Sequence, residues 1–131
     1  MQDFLFFKVD KLYVRLNFAD LLYVQAEKRY VNLVAIDKHY TTLCSIGHVE
    51  RILPTETFCK VHRSYIVSLK HTSGFDNEFV YMRNIKIPIA EQYRQILKNS
   101  VITLNCEFNS PRSENNPASF QQNGLFKNII S

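Results

Sequence analysis

Glycine is scarce in this chain of 131 residues, which holds 3 glycines, 4 prolines and no tryptophan. This scarcity excludes collagen-like and glycine-rich linker sequences and argues against a glycine-rich phosphate loop. The 3 cysteines are too few, and odd in number, for a disulfide-stapled secreted domain, so we interpret them as reduced thiols. No apolar run approaches the roughly 20 residues of a membrane span, and no secretory signal is recognisable. These absences predict a cytoplasmic protein with no membrane association.

Apolar residues make up 46% of the chain and charged residues 21%, enough to build one core. Two regions differ in composition. Residues 1–104 are rich in Val, Ile, Leu, Tyr and Phe, whereas residues 105–131 are polar and lack apolar periodicity. We expect one folded domain over 1–104 and a disordered tail over 105–131 that is dispensable for folding. The net charge of +4 permits a polyanionic partner without requiring one.

Short apolar runs separated by turn residues predict a mainly β fold with antiparallel neighbours. In one of them, from Tyr30 to Ile36, Val31, Leu33 and Ala35 face one side, and Tyr30, Asn32, Val34 and Ile36 face the other. Two segments instead have helical spacing. In the first, Ser45 caps a short helix with Ile46, Val49, Ile52 and Leu53 on one face. In the second, a helix follows Pro88 and ends near Asn99, with Ile89, Tyr93, Ile96 and Leu97 on its core face.

Neither an enzyme nor a metal site is indicated. His62 and Ser64 are adjacent in sequence, but triad members meet in space, and no nucleophile elbow is present. Cys59 and His62 have ligand-like spacing, but a structural zinc site needs two such pairs. We therefore expect no catalytic residues, no metal and no cofactor.

Basic residues recur where the predicted strands end, at Lys28-Arg29, Lys60, His62-Arg63 and Arg94, among others. Loops at strand ends are where binding residues usually lie, because the sheet fixes them in place. Arginine and lysine hydrogen-bond phosphates and guanine edges. The pattern is compatible with nucleic-acid binding if these clusters share one face.

Four blocks of sequence resemble the LytTR DNA-binding domains. The run FCKVHRSYIVSL from Phe58 to Leu69 is similar to the family's F-x-R-V-H-R-S-Y-I-V-N-L signature. The run from Phe18 to Val31 resembles its D-I-L-Y-I-E-A…Y-V block. A short helix leads into Leu53-Pro54, and Ile87-Pro88-Ile89 opens a final helix containing Tyr93. The blocks occur in the family's order and cover about residues 4–98.

The resemblance implies an elongated, mainly β, LytTR-like fold of small antiparallel sheets with two or three short helices. Family members commonly are output domains of two-component response regulators in bacteria. They bind direct repeats in promoters by inserting loops into successive major grooves of double-stranded DNA. A homodimer on DNA is compatible with that mode of binding. The chain has no room for a receiver domain, so it is either an excised fragment or a stand-alone protein.

By alignment with the family, three segments are expected to contact DNA. The first is the loop of Lys28, Arg29 and Tyr30. The second contains Arg63 as a base-reading residue, with Ser64 as a phosphate donor and His62 in a more structural role. The third is the start of the last helix, where Glu91 stands in place of a basic residue and Gln92 or Arg94 substitutes for it. Lys60 completes the set of predicted DNA-binding residues. The alternative is a protein-interaction or ligand-sensing β-domain that has lost DNA contacts, which Glu91 and the modest charge favour.

Overall fold

The computed structural model describes residues 2–104 of the chain, and the predicted tail over 105–131 lies outside this range. The chain forms one compact unit as far as Val101. Its strands are β1 Phe4–Val9, β2 Leu12–Asn17, β3 Leu21–Glu27, β4 Tyr30–Ala35, β5 His39–Leu43, β6 Phe58–His62, β7 Tyr65–Ser68, β8 Gly74–Phe75, β9 Phe79–Met82 and β10 Ile85–Pro88. Its helices are α1 Ile46–Ile52 and α2 Arg94–Asn99, with 3-10 turns at Phe18–Asp20 and Glu91–Tyr93.

The strands form three antiparallel sheets. The central sheet has five strands in the order β5-β4-β3-β7-β6, β1 and β2 form a separate hairpin, and β10-β9-β8 form a third sheet. Sequential strands pair through short connections, as expected for antiparallel sheets. The predicted fold class, mainly β with short helices, is confirmed.

The central sheet is buried on both faces by different partners. Val31, Leu33 and Ala35 of β4 lie in one apolar cluster together with β1, β2 and α1. Val34 packs against a second cluster, to which β9, β10 and α2 contribute. The alternation along β4 therefore places successive side chains in two cores, as the period of two requires. This two-sided burial fixes the strand register and holds the loops at the strand ends in place.

Three hairpins close through two-residue turns whose first residue has a left-handed backbone. The φ angles are 56° at Asp10, 58° at Lys28 and 51° at Arg83. Primed turns need this conformation, and glycine usually supplies it. In this glycine-poor chain an acidic or a basic residue adopts the left-handed conformation instead. At the turn between β3 and β4 that residue is Lys28, so the turn carries a cationic side chain.

The two predicted helices are present, with differences in detail. Ser45 caps α1, its Oγ accepting from the His48 amide over 3.1 Å, as predicted. Ile52 and Ile96 were expected on core faces, but they are 49% and 50% exposed, because helices of about two turns bury only a narrow stripe. The expected continuous helix after Pro88 starts later, because Ala90 remains extended and its amide bonds to Val61 O.

Candidate nucleic-acid interface

One end of the central sheet gathers the three segments that the sequence singled out. The turns between β3 and β4 and between β6 and β7 lie at this end because β3 and β7 are antiparallel neighbours. The Ala26 amide donates to Ser64 O over 2.8 Å, and the Ala90 amide donates to Val61 O over 3.0 Å. We call this region, with residues 28–30, 62–64 and 90–92, the loop end. Two strand spacings separate the turns, which corresponds to about 10 Å.

The turn between β3 and β4 presents two cations to solvent. Lys28 and Arg29 are exposed, and Tyr30, the first residue of β4, is 48% exposed. The carbonyl of Arg29 accepts a hydrogen bond from the Cys44 amide over 3.2 Å. The backbone of the turn is thereby tied to the end of β5 while its side chains remain free to contact a ligand.

The turn between β6 and β7 consists of Arg63 and Ser64. Arg63 is exposed, as predicted for a base-reading side chain. The Ser64 amide donates to Nδ1 of His62 over 3.1 Å, and the His62 ring packs edge-on against Tyr65 with centroids 5.5 Å apart. His62 therefore supports the turn through these two contacts. A structural role is what the sequence predicts for His62.

The third segment brings Glu91 and Gln92 to the loop end, both exposed in the 3-10 turn that precedes α2. Arg94 is half-buried, and its Nε donates to Asn77 O over 2.9 Å. This hydrogen bond ties the start of α2 to the loop between β8 and β9. Arg94 therefore has a structural partner, and Gln92 is the more accessible substitute for the missing basic residue.

Lys60 is not presented with the other cations. It lies two residues before the β6–β7 turn, its side chain is 19% exposed, and its Nζ is 3.6 Å from Glu50 Oε1 on α1. Because Phe58 of the same strand points into the cluster that contains α1, Lys60 faces that side too. The Lys60 ammonium group is therefore paired with Glu50 and points away from the two turns.

A row of polar and aromatic side chains crosses the central sheet just behind the loop end. In successive strands the paired residues are Thr41, Asn32, Gln25, Tyr65 and His62. We call this set the cross-strand row. The individual strands were predictable from the sequence, but this row was not, because the neighbours of a side chain on adjacent strands are known only once the register is known. The one available signal was the alternation that puts Tyr30 and Asn32 on the same side.

The loop between β8 and β9 is organised by Asp76. Its carboxylate accepts from the amides of Glu78 and Phe79 and from the Tyr81 hydroxyl over 2.7–2.8 Å. Burial alone would raise the pKa of Asp76, but these hydrogen bonds outweigh it and lower the pKa. The same hydrogen bond from Tyr81, assisted by burial, raises the pKa of Tyr81 to about 12. Asp76 thus stabilises the loop that Arg94 contacts.

Within residues 2–104, no group of three or more His, Cys, Asp or Glu side chains is arranged to hold a metal ion. Cys44 and Cys59 are free thiols, and burial raises the pKa of the Cys59 thiol, which disfavours the reactive thiolate.

In the same part of the chain no helix is long and apolar enough to cross a membrane.

The LytTr DNA-binding domain family model matches residues 11–102. The solved structure of a LytTr DNA-binding domain from Bacillus cereus superimposes with a TM-score of 0.66 at 20% identity, covering 76% of this chain and 97% of that one. The chain belongs to the LytTR family of DNA-binding domains.

Among curated proteins, the sensory transduction protein LytT of Bacillus subtilis is 29% identical over 85 residues, which cover 60% of this chain and 35% of that protein. LytR of Staphylococcus epidermidis is 25% identical over 87 residues, covering 66% of this chain and 34% of that protein. The chain thus matches about a third of the length of these relatives.

Proposed function

We propose that the domain binds double-stranded DNA sequence-specifically through the loop end, with its loops reading the major groove. The observation that supports this most strongly is the meeting of the three segments at one end of a rigid sheet. Two turns about 10 Å apart correspond to about three base-pair steps of 3.4 Å each. Side chains from both turns therefore reach one continuous stretch of a duplex.

The exposed side chains at the loop end divide by chemistry into two roles. Arg63 is suited to read guanine, because its guanidinium matches the O6 and N7 acceptors in the major groove. Lys28 and Arg29 are suited to phosphate contacts, which fix position without reading sequence. Gln92 adds a donor and an acceptor for base edges. The carboxylate of Glu91 reduces the positive charge of the surface and limits non-specific affinity.

We propose further that the domain regulates transcription in the cytoplasm as the output domain of a two-component response regulator. The support is the family membership, together with relatives that are sensory transduction proteins, of which the matched segment covers only about a third. In this proposal a receiver domain belongs to the same longer protein, and the DNA sites are direct repeats in promoters. Such repeats allow two copies of the domain to bind side by side as a homodimer.

The test compares two lysines at opposite ends of β4. Lys28 lies in the turn at the loop end, whereas Lys38 precedes β5 at the other end of the same sheet, and both are exposed. Binding of each alanine variant to a mixed-sequence duplex is measured at several salt concentrations. Lys28→Ala should weaken binding and reduce the salt slope by about one ion, whereas Lys38→Ala should leave both unchanged.

Binding that does not depend on salt, or equal losses in the two variants, would contradict the proposal. An absence of binding by the wild type under low salt would instead support the alternative of an interaction or ligand-sensing domain. A selection of preferred sites from a random duplex library then gives the operator for the experiments that follow.

A further inference from the structure

The two halves of the cross-strand row each contact a residue beside one turn of the loop end. On one side of it, Thr41 Oγ1 donates to Asn32 Oδ1 over 2.7 Å, and Asn32 Nδ2 donates to Glu27 Oε1 over 3.0 Å. On the other side, Gln25 Nε2 donates to Tyr65 Oη over 3.1 Å, and Tyr65 packs against the His62 ring. One half of the row therefore reaches Glu27, which precedes Lys28, and the other half reaches His62, which precedes Arg63.

Glu27, which the row contacts through Asn32, is critical because it carries a negative charge directly next to the cationic turn. It is the last residue of β3 and pairs with Tyr30, and Asn32 lies two residues further along β4. Its hydrogen bond to Asn32 thus draws the carboxylate back from the sheet end by about two residues of strand rise, or about 7 Å. Without that bond, a flexible carboxylate beside Lys28 and Arg29 would face the same phosphates and repel them.

The hydrogen bonds along this part of the row have a fixed direction. Thr41 donates to the amide oxygen of Asn32, which leaves the amide nitrogen of Asn32 directed at Glu27. Because the ionised Glu27 carboxylate only accepts, the Asn32 amide must turn its nitrogen toward Glu27, and the Thr41 hydroxyl supports this orientation by donating to the amide oxygen on the other side. Thr41, on the neighbouring strand β5, therefore affects Glu27 indirectly, through Asn32.

We propose that Asn32, oriented by Thr41, is a positioning residue for DNA binding, which holds the Glu27 carboxylate away from the phosphates and fixes the Lys28–Arg29 turn. This inference rests on the proposed function of the loop end. It assigns a role in DNA binding to residues that do not themselves touch DNA. It also explains how the domain tolerates an acid beside its basic turn.

A double-mutant cycle between Asn32 and Glu27 tests the proposal with the selected duplex. Asn32→Ala should weaken binding about five- to tenfold, a coupling of the size found between contacting residues. Glu27→Gln alone should change affinity less than about twofold. In the double variant the affinity should return to within about twofold of Glu27→Gln, because no carboxylate is left to repel phosphates. A merely structural loss would not be rescued by this second change.

Two threonines of β5 provide a matched pair of controls. Thr41→Val removes the hydroxyl that orients Asn32, whereas Thr42→Val removes a hydroxyl from the next residue, whose side chain faces the opposite side of the sheet. Thr41→Val should weaken DNA binding in the same direction as Asn32→Ala, and Thr42→Val should leave it unchanged. Thermal melting of each variant verifies that the protein is folded.

A measurement without DNA separates this proposal from the function on which it rests. Nitrogen-15 relaxation of the free protein should show larger fast motion of the Arg29 amide in Asn32→Ala, while the Asn84 amide in the turn between β9 and β10 stays unchanged. If the wild type fails to bind DNA, the proposed function is overturned, but the relaxation result still decides whether Asn32 orders the turn. Strictly additive losses in the cycle, or unchanged Arg29 dynamics, would overturn the positioning role.

Discussion

The amide of Ala26 donates a hydrogen bond of 2.8 Å to the carbonyl of Ser64, and this bond joins the two turns of the loop end. Ala26 precedes the residues that lead into the β3–β4 turn, and Ser64 is itself part of the β6–β7 turn. Backbone pairing between β3 and β7 therefore links the turn that contains Lys28 to the turn that contains Arg63. A surface that must match the fixed spacing of a duplex benefits from such rigid support.

Arg63→Ala should weaken binding to the selected duplex by about 1–3 kcal/mol, because one bidentate base contact is lost. The melting temperature should stay nearly unchanged, since Arg63 is exposed. Arg83→Ala is the control: it also removes an exposed arginine from a two-residue turn, but this turn lies at the opposite end of the β9–β10 hairpin from Pro88, which leads into the loop end. Competition binding with the selected duplex and a scrambled one checks the effect. Equal losses on both duplexes would show that Arg63 contacts phosphates and reads no base.

Substitutions of Glu91 distinguish an electrostatic role of this residue from a base-reading role. If it merely stabilises the first turn before α2, Glu91→Arg should raise affinity for every duplex and steepen the salt dependence, because a new phosphate partner is added. Glu91→Gln should leave the selected sequence motif unchanged. We expect this outcome, and site selection with wild type and Glu91→Gln checks it. A base switch at a single operator position would instead mean that Glu91 accepts from cytosine N4.

The Asp76–Tyr81 pair should make stability depend on pH at both extremes. The pKa of Tyr81 is raised from 10.0 to about 12, so its contribution to the free energy of unfolding is complete below pH 10 and is lost between pH 10 and about 12. The pKa of Asp76 is lowered from 3.8, so its contribution is present above pH 3.8 and is lost as the pH falls below that value.

Tyr81→Phe should remove the alkaline decrease in stability that is specific to this pair, as measured by urea unfolding at pH 9 and pH 12. Tyr13→Phe is the control, because Tyr13 is 64% exposed on β2 and should leave the pH profile of the wild type intact. An identical alkaline decrease in Tyr81→Phe and wild type would show that the hydrogen bond to Asp76 does not contribute to stability.

The left-handed backbone at Asp10, with a φ of 56°, predicts opposite effects of glycine at two neighbouring positions. Asp10→Gly should stabilise the protein by a few tenths to about 1 kcal/mol, because glycine adopts this conformation without steric cost. Lys11→Gly should destabilise it by about 0.5–1 kcal/mol, since Lys11 has no positive φ and glycine only adds unfolded-state entropy. Denaturant unfolding of the two variants measures both changes in the free energy of unfolding. Changes of the same sign would contradict this explanation.

Strand alternation and the Ser45 cap made most of the fold predictable from the sequence. The Val31, Leu33 and Ala35 face was assigned correctly, because a period of two places every second side chain of a strand on the same side of the sheet. The start of the last helix was predicted too early, since no local signal reveals that the Ala90 amide bonds to Val61. A bond between distant strands overrode the helical spacing of the segment.

The exposed turn residues of the candidate site were predictable from the sequence, but their tertiary partners were not. Lys28, Arg29 and Arg63 were identified as turn residues, and they are exposed at one end of the sheet. The pairing of Lys60 with Glu50 and of Arg94 with Asn77 depends on tertiary packing, which the sequence does not reveal. The link between Asn32 and Glu27 was missed because it needs the register of β3 and β4.

Amide chemical-shift mapping shows which end of the central sheet contacts DNA. The nitrogen-15-labelled protein is titrated with the selected duplex, and shifts are compared between the two ends of the central sheet. The largest shifts should fall on residues 28–30, 62–64 and 90–92, with little change at Lys38 and Lys70 at the opposite end. Shifts centred on Lys38 and Lys70, or on the β1–β2 hairpin, would contradict DNA binding through the loop end.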